Sequence, residues 1–105
     1  MSCGLRYSPM AVEDLRRMHA QIREISQDED IALNYVDGLM QCLEDKRDFP
    51  HAGAPLSYDG GFTGYYFIIF KEYLAFYRVK DDCMYVDRVL YSRRDYMQAL
   101  FLLKD

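Results

Sequence analysis

The sequence predicts an α+β fold: an N-terminal strand, an antiparallel helix hairpin packed on an antiparallel sheet of about four strands, and a short C-terminal helix. Three observations predict it. Apolar residues recur at three- and four-residue steps through the first half of the chain. Branched and aromatic runs fill the second half, and Gly, Pro and Asp clusters punctuate the joints between them. At 105 residues the chain has the size of one domain, spanning 1–105, with helices and strands sharing a core.

Gly4 to Tyr7 reads as a short strand, and Ser8 followed by Pro9 is a helix start, because proline is favoured at the first helical position. Val12, Leu15, Met18, Ile22 and Ile25 then mark the apolar stripe of an amphipathic helix, with Glu13, Asp14, Arg16, Arg17 and Arg23 assigned to its other faces. Ser26 to Asp30 breaks this helix. Ser26 with Glu29 offers a capping box for a second one, whose stripe is Ala32, Tyr35, Val36, Leu39, Cys42 and Leu43. So short a connection makes the pair an antiparallel hairpin. Gly38 inside the second helix costs about 1 kcal/mol relative to alanine, and close backbone packing is the reason to expect it there.

From Lys46 to Gly61 periodicity fails, and Phe49 is expected to pin a loop rich in Pro and Gly. The run Phe62 to Phe70 is apolar on both alternating faces, which predicts a central strand covered on both sides, the second cover being the C-terminal helix or a partner chain. Two further strands follow, around Leu74 to Val79 and Met84 to Tyr91, turned by Lys80, Asp81 and Asp82. Ser92 then stands at a helix N-cap with Asp95 as its acidic partner, predicting a helix from Arg93 to about Leu103. In that first turn Arg93 and Arg94 oppose the helix dipole, at roughly 0.3 to 1 kcal/mol each. Two readings account for them: an anion site formed with the helix end, or solvated arginines paired with carboxylates such as Asp95.

Composition bounds the function. Half the residues are apolar and 15% aromatic, so the chain is not disordered, and no apolar run approaches the roughly 18 residues of a membrane span. Nothing at the N-terminus resembles a secretory signal, and Cys3, Cys42 and Cys83 are too few and too odd in number for a disulfide framework, so a cytoplasmic setting is expected. No residue spacing implies a metal or cofactor, and a net charge of −4 means that any nucleic-acid role must rest on a local patch. Arg78, Lys80, Arg88, Arg93 and Arg94 supply one in the last third. Arg88 divides evenly between a structural ion pair and a target contact. His19 and His51 have no evident acid–base partner.

Four segments in order, YSPMAVEDL from Tyr7, DFPHAG from Asp48, YLAFYRV from Tyr73 and DRVLYSRRDYMQALF from Asp87, make the chain resemble the RelE/ParE superfamily of toxins from bacterial type II toxin–antitoxin systems. The resemblance spans nearly the whole chain and implies a cognate antitoxin protein as partner, with no membrane and no small-molecule substrate. It also implies one of two targets. RelE-like members cut mRNA on the ribosome, whereas ParE-like members bind DNA gyrase and are not nucleases. The nuclease branch uses lysines on the strand that here reads Tyr66 to Phe70, which has none, and an arginine where this chain has Leu74. Cleavage through the RNA 2′-hydroxyl needs a base and cations to stabilise the phosphorane, and only Arg93 and Arg94 remain for it, with Lys71 and Arg78 as added charge and Tyr91 or Tyr96 as base-stacking groups. The tyrosine-rich third strand and the Arg-Arg-Asp before the last helix resemble the ParE branch. On that branch the expected target-binding residues are Arg78, Arg88, Arg93, Arg94 and Tyr96. A degenerate toxin that only binds an antitoxin is the remaining alternative.

Overall fold

The computed structural model describes residues 4–93 and 95–101. Its elements are β1 (Leu5–Tyr7), α1 (Pro9–Ser26), α2 (Glu29–Asp45), a 3-10 turn (Pro50–Ala52), β2 (Ala54–Tyr58), β3 (Gly61–Phe70), β4 (Tyr73–Lys80), β5 (Cys83–Tyr91) and α3 (Tyr96–Phe101). One five-stranded sheet runs β1-β5-β4-β3-β2, antiparallel except for β1, which lies parallel to β5. The predicted class is correct and the strand count is five rather than about four. The extra strand is β2, which sits inside the stretch read as loop because Pro55 and Ser57 carry no strand signature of their own.

Helix α1 starts as predicted, with the Ser8 hydroxyl accepting from the Ala11 N–H and Pro9 in the first turn. Its buried side is Ala11, Asp14 and Met18, so Asp14 stands on the packed face and not on an outer one, while Val12 and Ile25 are exposed. Gln27 ends α1 in the left-handed region, and the cap of α2 is Asp28, whose carboxylate accepts from Asp30 and Ile31. The Ser26–Glu29 box therefore does not form. Ser26 is the last residue of α1, and Asp28 lies closer to the helix start it serves. At Gly38 a Cβ would fall 2.6 Å from the ring of Phe70, which explains glycine within α2.

Two cores lie on opposite sides of the sheet. The helix hairpin covers Ile68, Ala75, Tyr77, Met84, Val86 and Val89. On the other face Leu56, Leu74, Phe76 and Leu90 meet Tyr96, Met97 and Leu100, so α3 is the second cover that the apolar strands demanded. The central strand is β4 and not β3, and it is β4 whose Tyr73 to Tyr77 are buried throughout. Phe49 is exposed and does not pin the loop. Tyr77 does, its buried hydroxyl donating to the Pro50 carbonyl at 2.8 Å, and a Cβ at Gly53 would collide with that hydroxyl.

Asp81 and Asp82 both have positive φ, giving the β4–β5 hairpin the tight turn expected of it. Cys42 is a free thiol, whereas Cys83 is disulfide-bonded, contrary to the expectation from an odd cysteine count. Among the described residues no helix is long and apolar enough to cross a membrane.

Candidate functional site

Two Asp–Arg pairs on β5 organise the cationic third of the chain, and they begin from one irregularity. Across the β4–β5 ladder Phe76 faces Arg88 while Tyr77 faces Val86, so Asp87 is an inserted residue, a bulge that re-aims its neighbours. Asp87 thereby meets Arg78: its carboxylate accepts from the Arg78 Nε at 2.8 Å and from Nη2 at 3.3 Å, and Tyr65 donates its hydroxyl to the same carboxylate at 2.9 Å. Burial and that bond push the Tyr65 phenol up to about 12, while the Asp87 carboxylate raises the Arg78 guanidinium. The pair lies at the surface.

Arg88 turns the other way. Its Nε and Nη2 bind the two oxygens of Asp14 at 2.7 and 3.1 Å, and Asp14 also accepts from the Val89 N–H at 2.9 Å and from Arg17 at 3.1 Å. The reason is the shortness of β1. Past Val86 that strand no longer covers the edge of β5, so the start of α1 caps it: the Ser8 N–H donates to the Val86 carbonyl, the Ser8 hydroxyl to the Asp87 carbonyl, and the Val89 N–H to Asp14. Of the two roles weighed for Arg88, the structure shows the ion pair.

The other expected site residues fall apart in space. Arg93 is exposed in the turn that follows β5. Helix α3 begins at Tyr96, with the Ala99 N–H bonded to the Asp95 carbonyl, and Ser92 uses its own N–H on the Glu72 carbonyl instead of capping a helix. Arg93 is thus outside the helix, and the conflict with the helix dipole does not arise. Arg94 and residues 102–103 of the predicted helix lie outside the described residues. Tyr96 packs on Phe76 with ring centroids 5.3 Å apart, and Tyr91 donates to Glu72. Lys71 sits over the rings of Tyr35 and Phe70. Contrary to the sequence reading, both histidines have partners, His19 with Glu29 at 3.1 Å and His51 with the Tyr66 hydroxyl at 3.0 Å. Among the described residues no three His, Cys, Asp or Glu side chains gather as a metal site requires.

Sequence reasoning missed Asp87 as the partner of Arg78 and Tyr65 as the second donor to Asp87. One signal was present: a hairpin turned at Asp81–Asp82 sets Tyr85 opposite Arg78, and the residue two further on is its diagonal neighbour.

Leu74 decides the chemistry available on the α3 side of the sheet. It is buried with Phe76 and Leu90 against Tyr96 and Met97, and Phe67 of β3 packs on the same cluster. That face is an apolar core. Leu74 itself brings no cation, and Arg78 and Arg88 flank the cluster at strand alternation from Phe76 and Leu90.

A mixed sheet flanked by a helix hairpin on one face and a short C-terminal helix on the other is the architecture of the RelE/ParE-like toxins of type II toxin–antitoxin systems. Within that class, residues 5–96 match the family described as ParE toxin of type II toxin-antitoxin system, parDE, and the chain belongs to that family. Among solved structures it is similar to a chain of the chromosomal ParDE toxin–antitoxin system from P. aeruginosa, at 17% identity and a TM-score of 0.70, covering 84% of this chain and 94% of that one. It is also similar to a chain of the RelBE2 toxin–antitoxin complex from Mycobacterium tuberculosis, at 18% identity and a TM-score of 0.60, covering 87% and 92%. No curated protein matches the sequence at comparable significance.

Proposed function

We propose that this toxin arrests growth by binding DNA gyrase, without cleaving RNA, and that a cognate antitoxin neutralises it. The observation that carries the reading is Leu74. Where a nuclease of this superfamily keeps an arginine, this chain buries a leucine under α3, and the strand that would bring lysines brings Phe67 and Ile68. An RNA phosphate placed at Leu74 would find no cation from that residue or from Tyr66 to Phe70 to stabilise its developing charge. What the surface offers instead are Arg78, held by Asp87, and Arg93 beyond the end of β5. Binding without chemistry needs only such oriented donors. The antitoxin belongs to the reading because the two similar structures are toxin–antitoxin systems.

The test is supercoiling of relaxed plasmid by purified gyrase. Added toxin should block it, and a co-purifying acidic partner should restore it. Codon-dependent cuts in messenger on translating ribosomes, with gyrase unaffected, would establish the nuclease alternative. Normal growth after induction of the toxin alone, by a chain that still binds the partner, would make it a degenerate toxin.

A further inference from the structure

The β3–β4 ladder ends early. It runs from Phe70↔Tyr73 to Tyr66↔Tyr77, after which Gly61 to Tyr65 continue only beside β2, and Arg78 to Lys80 only beside β5. The sheet therefore forks into two hairpin arms. Two register faults at the same level produce the opening: the Asp87 bulge in β5, and a wider one in β3, where Thr63 to Tyr65 stand opposite Leu56 alone. The second is held by Gly64 at φ +96°, a backbone state that favours glycine, and by the Thr63 hydroxyl bridging the Leu56 carbonyl and the Tyr65 N–H. Between the arms lies a cleft of about 570 Å³ lined by Gly64, Arg78, Val79, Lys80, Asp81 and Tyr85.

We propose that this fork is the target-binding groove of the toxin, and that it takes an extended, acidic peptide segment as an added strand. The inference rests on the reading of the chain as a protein-binding toxin and gives that reading a place. The edge of Arg78 to Lys80 faces the cleft beyond the end of the β3–β4 ladder, and the main-chain donors and acceptors of a strand edge select an extended polypeptide. Two cations sit on one arm. Arg78 is oriented by its two bonds to Asp87, and among the described residues its Nη1 has no hydrogen-bond partner; Lys80 is exposed at the tip. Two separate cations, not a continuous basic track, suit spaced carboxylates better than a continuous polyanion.

Two probes test the proposal side by side: gyrase holoenzyme by surface plasmon resonance, and an acetylated octapeptide of alternating glutamate and valine by NMR. The variants are Lys80→Glu, at an exposed hairpin end where folding is retained, and Arg78→Ala, checked by its thermal midpoint. Gyrase affinity should fall about tenfold or more in Lys80→Glu. The octapeptide should shift amides within residues 62–65 and 78–80 of the wild type and leave those of Lys80→Glu unmoved. Gyrase binding within about twofold of wild type in both variants would overturn the inference. So would an octapeptide that leaves those amides unperturbed, or one displaced from them by a short single-stranded RNA. If wild type ignores gyrase yet binds the octapeptide through Lys80, gyrase is the wrong target and the groove stands. If gyrase binds and neither variant matters, the target is right and the groove is wrong.

Discussion

Arg78–Asp87 and Arg88–Asp14 are the same two functional groups in nearly the same two-point geometry, attached to consecutive residues of one strand. Their surroundings differ. In the first pair the side chains are 57% and 18% exposed, and in the second 11% and 2%. Water screens the first pair, so losing one partner leaves a charge that solvent can accept, at about 0 to 1 kcal/mol. The second is closed off by α1, and a charge stranded there costs roughly 3 to 5 kcal/mol. A bidentate guanidinium–carboxylate pair is therefore a structural joint in one place and an adjustable surface donor in the other. Burial decides which, not chemistry.

The largest test of that contrast is Asp14→Ala, which removes partners from Arg88, Arg17 and the Val89 N–H together. Urea unfolding should show a loss of about 3 to 5 kcal/mol, and the double variant with Arg88→Ala should cost much less than the sum of the singles. Additive losses would place the two groups in independent environments. Gly53→Ala should come next, at about 1 to 3 kcal/mol, because its Cβ would displace the Tyr77 hydroxyl from the Pro50 carbonyl.

Tyr77→Phe should cost about 1 kcal/mol near neutral pH. Tyr7, Tyr65 and Tyr77 have phenols raised to about 12, with burial as the first cause in each. A raised phenol binds its proton more tightly folded than unfolded, so its contribution is complete below pH 10 and is lost as pH rises toward about 12. Thermal midpoints should decline across that window, and less steeply in Tyr77→Phe. The smallest effect on stability belongs to Arg78→Ala, under about 1 kcal/mol by the same unfolding measurement, although it should abolish growth arrest on induction. A larger loss of stability would make Arg78 a second structural joint and erase the contrast.

The faces of the strands were harder to read than their existence. Alternation assigns Arg88 to one face and Asp87 to the other, but the inserted residue breaks that alternation within β5, and composition carries no mark of a bulge. Asp14 was assigned to an outer face because its residue type is normally solvated, and the partner that permits its burial lies 74 positions away. The helix expected at Arg93 failed through local chemistry: Ser92 and Asp95 have capping-box spacing, yet the Ser92 N–H extends the strand side by bonding to the Glu72 carbonyl.

By itself the sequence determined the order of the elements other than β2, the Ser8–Pro9 helix start, the stripes that pair α1 with α2, the turn at Asp81–Asp82 and the segments that carry the resemblance. All of these are encoded within a few residues of one another, through capping, periodicity and turn preference. Tertiary structure alone decided that β4 is central, that α3 seals Leu74, that Arg88 is locked while Arg78 is presented, and that the sheet forks beside Gly64. Those outcomes depend on which distant groups exclude water from which side chains. That property belongs to the packed surfaces on both sides of the sheet, and no local run of residues contains it.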